Sequence, residues 1–288
     1  MPSTPGEHPN TYFVQDRASE SELQRLRLQD ALLTAGMGGV LPEQLDPTRL
    51  RRVLDVGCGT GGWLIATAQA YPVIQMLHGV DVSRRMVEDA RAQAEAAQVS
   101  DRVEFHVMDA LRMLEYPEAT FDLVNQRFGG SFLRTWDWRK LLEESQRVCR
   151  HGGVIRITEA NFHVRSTSAA LEQLFLLLVR AFHRAGHLFV PQGDGLSSEL
   201  VPLLQRFGLQ QVQTRALTLH YCQGAPEWPS FVEDVRRVFR TGLPFVQKWI
   251  RVPDDYEALY QRALAELGQP ESRGALDLLT VWGERAAR

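Results

Sequence analysis

The sequence predicts an α/β protein with a doubly wound parallel sheet, and three observations carry that expectation. The apolar run Val53-Leu54-Asp55-Val56 enters a glycine-packed turn, Gly57-Cys58-Gly59-Thr60-Gly61-Gly62, and opens helical sequence beyond it, the strand, turn and helix order of a βα unit. Between residues 50 and 160, short apolar runs alternate with helical stretches such as 83 to 97 and 138 to 149, the rhythm of parallel strands with helices on both faces. A chain of 288 residues is long enough for one large core, or for a core domain with an appended lid.

Residues 1 to about 10 carry Pro, Ser, Thr and Gly with little to bury and are expected to be loose. A helix follows: Ser19-x-x-Glu22 is a capping box, Leu23, Leu26, Leu32 and Leu33 recur at helical spacing, and Gly36 stands as the stop. Strands are expected at 53 to 56, 78 to 81, 103 to 109, 121 to 128 and 152 to 159, with Asp81 and Asp109 closing the second and third. Alternating runs at 209 to 221 and 276 to 284 supply a sixth and a seventh. Between the fifth and sixth, Leu171, Leu174, Phe175, Leu178 and Phe182 mark a long amphipathic helix. Residues 224 to about 273 are rich in Pro, Trp and Phe, exceed what a hairpin needs and are expected to form an inserted helical cap. The expected division is a tail and lid helix over 1 to 48 and a main domain over 49 to 288.

The glycines at 57, 59 and 61 let the backbone take positive φ and let a ligand approach the main chain. Asp55 is the unusual residue. A strand buried on both faces should be apolar, so a carboxylate there needs a cationic or donor-rich partner. Positions 57, 59 and 62 also satisfy Gly-x-Gly-x-x-Gly, with Asp81 about 20 residues on, so the glycine spacing by itself leaves a dinucleotide site open. The pattern Asp-x-Gly-x-Gly-x-Gly at 55 to 61 is joined by His78-Gly79-Val80-Asp81-Val82-Ser83-x-x-Met86, Val103-Glu104-Phe105-His106-Val107-Met108-Asp109-Ala110 and Phe121-Asp122-Leu123-Val124-Asn125-Gln126-Arg127-Phe128. Together with the run from Gly152 to Glu159, this resembles the class I S-adenosylmethionine-dependent methyltransferases of small-molecule type, over roughly residues 50 to 160.

The resemblance implies a seven-stranded, mostly parallel, Rossmann-like sheet whose seventh strand is antiparallel beside the sixth, with an N-terminal helical lid and a helical insertion before the last strand. It implies S-adenosylmethionine as cofactor. Asp55 would accept from the methionine ammonium group, the Gly57 and Gly59 backbone would lie beneath the ligand, and Asp81 would take both ribose hydroxyls. Val82 and Met86 would pack on adenine, Asp109 would accept from its amino group while the Ala110 N–H donates to the ring, and the Asn125 carbonyl would meet the methionine amine. Tyr12, Phe13 and Arg25 are lid candidates, a reading that stands beside simple packing on the sheet.

Methyl transfer asks the protein to align a nucleophile, exclude water and, where needed, remove a proton. Candidates beyond the fourth and fifth strand tips are Gln126, Arg127, Glu159 and His163. Glu159 and His163 are the candidate general bases, imidazole having the better-matched pKa. Arg127 reads equally as a clamp for a carboxylate or as half of a salt bridge.

A net charge of −3 provides no basic footprint for nucleic acid or an anionic membrane, and no Asn-Pro-Pro-Tyr motif follows the fourth strand. Cys58, Cys149 and Cys222 are far apart and form no metal-ligand spacing. His183 and His187, one turn apart on the long helix, lack an evident third ligand, so no metal is expected. The longest apolar run is too short to cross a bilayer, and the N-terminus has no apolar signal region. The expectation is a cytoplasmic enzyme that methylates an oxygen, nitrogen or carbon of a small, partly apolar molecule. The alternative is a chain of the same fold that binds the cofactor but performs non-methylating, cyclase-like chemistry or serves as a binding module.

Overall fold

The computed structural model describes residues 12–14, 19–43 and 46–287; the loose tail expected over residues 1 to 10 lies outside them. In chain order the elements are α1 (Glu20–Gly36), β1 (Arg52–Val56), α2 (Gly62–Ala70), β2 (Met76–Asp81), α3 (Arg84–Ala96), β3 (Val103–Val107), β4 (Phe121–Arg127), α4 (Asp137–Val148) and β5 (Cys149–Ala160). They continue as β6 (Arg165–Ser166), α5 (Ala169–Arg184), α6 (Leu200–Arg206), β7 (Gln210–Cys222), α7 (Trp228–Thr241), α8 (Leu243–Trp249), α9 (Tyr256–Leu267) and β8 (Arg273–Glu284).

The strands form one sheet in the order β3-β2-β1-β4-β5-β8-β7, parallel from β3 to β5 and antiparallel on both sides of β8. The expected seven strands are present. An eighth, the two-residue β6, pairs with Gly274 and Ala275 of β8, and it is too short to leave a periodic signature. Helices α7, α8 and α9 fill the interval between β7 and β8, where the inserted cap was expected.

Alternation along the strands divides the core into two layers. Leu54 and Val56 pack with Val80, Phe121, Trp138 and Leu142 on one face, while Val53 packs with Trp63, Leu77, Val87 and Phe105 on the other. Helices α2 and α3 cover the second face, and α4 covers the first. Because the chain leaves β1 for β2 on one side and returns in β4 on the other, the C-terminal ends of β1 and β4 flank a topological switch point. Ligands of open α/β sheets bind in that crevice.

Helix α1 lies over the same end of the sheet. Ser19 caps it, its Oγ accepting from Glu22 N at 3.3 Å. The Glu22 carboxylate turns inward instead of completing the capping box. It accepts Arg25 Nε at 2.9 Å and Nη2 at 2.7 Å, and the Tyr12 hydroxyl donates to it at 2.7 Å. Arg25 Nη1 also donates to Asp234 of α7 at 3.2 Å. Arg25 and Glu22 are both buried, so a fully paired guanidinium joins the lid helix to the inserted cap. Removing one member of such a group leaves buried charge uncompensated, at about 3–5 kcal/mol. Arg25→Ala is therefore expected to lower unfolding stability by that order, measured as a shift in urea midpoint with unchanged slope.

Candidate functional site

The turn after β1 is held by the end of β2. Gly57 N and Cys58 N both donate to Val80 O, at 2.8 and 3.0 Å. Gly57, Gly59 and Gly61 all take positive φ, at 70°, 53° and 78°, as the sequence pattern requires. Two of them differ in what surrounds them. A Cβ on Gly61 would lie 2.5 Å from the Phe105 ring, so packing excludes a side chain there, whereas a Cβ on Gly59 would meet nothing within 4 Å. Gly59 thus presents bare backbone to the open space of a cavity of about 1240 Å³ that runs along the strand tips.

Asp81 and Asp109 stand on that cavity in sequence along its wall. Asp81 Oδ2 accepts from Gly59 N at 3.1 Å and Oδ1 from Ser83 N at 2.8 Å, so the second strand's acid and the glycine turn share one hydrogen-bonded unit. Asp109 Oδ1 accepts from Leu111 N at 2.9 Å. Val82, half exposed, and Met86, at the start of α3, line the cavity between the two acids, and Ala110 lies beside Asp109. This half therefore offers peptide groups, two carboxylates and an apolar slot. Carboxylate acceptors, peptide groups and an apolar slot suit an amino-acid group, a ribose diol and a purine.

Asp55 is buried and reaches the cavity at the foot of the turn. The donor-rich surroundings expected for it are present: Asn125 Nδ2 donates to Asp55 Oδ1 at 2.7 Å, and Arg156 Nη1 donates to Asn125 Oδ1 at 2.7 Å. Glu43 pairs with Arg156 beneath. These residues face one side of the sheet because Asp55, Asn125 and Arg156 are register partners across β1, β4 and β5. Burial pushes the Asp55 carboxyl up to about 7, against the pull of the Arg127 charge and the Asn125 hydrogen bond.

Arg127, on the cavity wall, forms a salt bridge with Asp30 of α1, and its Nη1 donates to Thr34 Oγ1 at 3.3 Å. Its guanidinium also lies 5.7 Å from the Trp63 ring centroid. Of its two readings, the salt bridge is the one the structure contains.

The other half of the cavity is aromatic, walled by Phe13, Phe162, Phe175, Phe182 and Phe231 with Tyr221 and Val235. Glu159 projects into it from β5 and is almost fully buried. Its Oε1 accepts from Gly129 N at 2.6 Å, and Gly130 N lies 3.3 Å from Oε2. Burial pushes this carboxyl up to about 8 in spite of those donors.

Two expected site residues are displaced. Asn125, expected to offer its backbone carbonyl, does not line the cavity; it lies inside β4, and its side chain is spent on Asp55 and Arg156. His163 does not line it either. Phe162 N donates to Gly193 O at 2.8 Å, and a Cβ on Gly193 would lie 2.5 Å from His163 Cβ. The backbone and Cβ of His163 thus pack against that loop, while Phe162 lines the cavity. The histidine pair is not one helix turn apart, because α5 ends at Arg184 and the buried His187 bonds Gly130 O through Nδ1 at 2.9 Å. Tyr12 and Arg25 do line the cavity, engaged with each other at 3.1 Å.

Residues that the sequence pattern did not single out include Asp30, Asp234 and Phe128. The first two are 97 and 209 residues from their arginine partners, beyond any local signal. Phe128 holds φ at 56° at the tip of β4, a conformation a bulky residue adopts only when its surroundings impose it. Its N–H is fixed on Thr158 O at 2.8 Å.

Residues 53–153 match the family described as a methyltransferase domain. The chain is 34% identical over 167 residues to 27-O-demethylrifamycin SV methyltransferase of Amycolatopsis mediterranei, covering 58% of this chain and 56% of that protein. It is 40% identical over 109 residues to demethylmenaquinone methyltransferase of Deinococcus radiodurans, covering 38% and 43%. The chain thus spans about half the length of these curated relatives. Among solved structures, an O-methyltransferase family protein from Burkholderia thailandensis superposes with a TM-score of 0.55 at 15% identity, covering 96% of this chain and 62% of that one; the likeness is one of fold.

The raised carboxyl of Glu159 has a consequence for stability. A buried acid whose pKa rises from 4.5 to about 8 on folding holds a proton that the unfolded chain releases, so its contribution is fully present below about 4.5 and lost as pH rises through 8. Unfolding free energy is expected to fall between about pH 4.5 and 8 in the native chain and to fall less in Glu159→Gln, as measured by urea titration at each pH.

Proposed function

We propose that this chain, which belongs to the class I S-adenosylmethionine-dependent methyltransferase family, binds S-adenosylmethionine along the strand tips and methylates an oxygen, nitrogen or carbon nucleophile of a small, partly apolar molecule. The observation that carries the reading is the continuity of one cavity from the bare glycine turn and its two acids to an aromatic chamber containing a buried carboxyl. A volume of about 1240 Å³ exceeds the roughly 300–1,000 Å³ of a single small-molecule site, which supports two ligands side by side. The bound cofactor supplies a methyl group made electrophilic by positively charged sulfur.

The chain's own residues supply the rest. Gly57 and Gly59 offer peptide groups and open space, Asp81 and Asp109 offer acceptors, and Val82, Met86 and Ala110 offer an apolar slot for the purine. The aromatic wall excludes water and orients the acceptor molecule. Glu159 is placed to take a proton from it, with a carboxyl near 8 that binds and releases protons close to neutrality. Arg25 and Arg127 are both already paired with acids, which favours a neutral acceptor over an anionic one.

Among the described residues no helix is long and apolar enough to cross a membrane, and Cys58, Cys149 and Cys222 are free thiols. Both support a cytoplasmic protein in our reading, and the charge balance supports a small molecule over nucleic acid as the partner.

Calorimetric titration of the full chain with S-adenosylhomocysteine, with NAD as control, is expected to give binding of the first alone; absence of that binding in folded protein overturns the assignment. Asp81→Ala is expected to weaken it by about 1.5–3 kcal/mol, as for loss of a hydrogen bond involving a charged group. Glu159→Gln is expected to leave that affinity unchanged while lowering kcat by about 10²-fold or more and abolishing a rise in rate with pH near 8. A variant with native rates would remove Glu159 from the chemistry.

A further inference from the structure

Outside the cavity, β2 and β3 bring together three side chains with metal-ligand chemistry. His78 is the direct register partner of Glu104, and His106, two residues further along β3, points to the same face. One ligand atom from each of His78, Glu104 and His106 lies within 4.8 Å of the others. None of the three lines the cavity.

The contact between His106 and Glu104 carries the argument. His106 Nε2 is buried and makes no hydrogen bond among the described residues, although Glu104 Oε2 is only 3.3 Å away. The two atoms are close without being aligned as donor and acceptor. In a tetrahedral zinc site, ligand bonds of about 2.0–2.2 Å place neighbouring ligand atoms about 3.3–3.6 Å apart, which is the separation found here. The third ligand, His78, stands on the adjacent strand with a ligand atom within 4.8 Å of the other two, a gap that a change in side-chain torsions can close.

The surroundings suit such an ion as well. The Tyr116 hydroxyl lies 3.2 Å from His78 Nδ1 and orients that ring, as outer-shell partners of ligating histidines do. The Tyr116 and Phe121 rings, with centroids 5.4 and 5.9 Å from that of His78, form an apolar backing. Glu104 is 62% exposed, which leaves an entry path and a coordination position for water.

We propose that His78, Glu104 and His106 bind a divalent transition-metal ion of the zinc type. The ion cross-links the edge strand β3 to β2. It also braces the segment from Asp109 to Tyr116, whose first residues line the cavity. The site offers three protein ligands and a position for water, and it is independent of the methyl-transfer reading.

The test uses untagged full-length protein, stripped with EDTA and desalted. Titration with zinc chloride by calorimetry is expected to show one tight ion per chain, and cobalt substitution to give the visible bands of a four-coordinate site. The thermal midpoint is expected to rise with zinc. His106→Ala and Glu104→Gln are each expected to weaken that binding by about tenfold or more and to abolish the thermal shift, with far-UV circular dichroism unchanged. Glu104→Gln alters an exposed side chain and keeps the test decisive where the histidine variant fails to fold. Zinc affinity equal in the native chain and in Glu104→Gln, or no binding by the native chain, would assign the cluster to an ordinary His–Glu contact and overturn the proposal.

Discussion

A carboxylate in the interior of a parallel sheet has to be compensated, and the arrangement around Asp55 follows from that requirement. Its register partner Asn125 donates to it, Arg156 donates to Asn125, and Glu43 pairs with Arg156. Arg127, on the same face of β4, adds positive charge near Asp55 and is itself paired with Asp30 of α1. Each member satisfies the next, as buried polar groups must when water is excluded. Two segments that precede the sheet in sequence, α1 and the stretch containing Glu43, are thereby anchored over its C-terminal edge. The site gains its roof from the electrostatic needs of its floor.

The same edge is where the topology puts a crevice. Strands β2 and β4 leave β1 in opposite directions, so their ends part and the turn between β1 and α2 is exposed to a cavity instead of being packed shut. The cavity then divides by chemistry. On the β2 and β3 side, the strand-terminal acids and bare backbone make a polar cradle. On the β5 side, rings from α5, α7 and the segments around Phe13 and Phe162 make an apolar chamber. Glu159 belongs to the second environment, and its raised carboxyl is a direct result of the apolar lining. Burial raises Asp55 as well, against the pull of the Arg127 charge and the Asn125 hydrogen bond.

The inserted cap and the lid helix act as one cover. Arg25 satisfies Glu22 on its own helix and Asp234 on α7, and Gln29 Nε2 adds a bond to Asp234 at 3.2 Å. Phe13 and Phe245 lie edge to face at 6.4 Å beneath them.

The sequence by itself determined what depends on neighbours a few residues apart. Alternation in residues 209 to 221 announced β7, the Ser19 cap announced the start of α1, and the spacing of Gly57, Gly59 and Gly61 announced a turn with three positive φ angles. Asp81, Val82 and Met86 could be placed at the cavity because a strand tip followed by a capped helix fixes their direction locally. Tertiary structure decided which residues meet across strands and between distant helices. Asn125 spends its side chain on Asp55 and Arg156 across the sheet and does not line the cavity, and the tether from Phe162 to Gly193 packs His163 against that loop while leaving Glu159 inside. The pairings of Arg127 with Asp30, Arg25 with Asp234 and His78 with Glu104 span 97, 209 and 26 positions. Such contacts follow from sheet register and helix docking, which chain periodicity leaves undetermined.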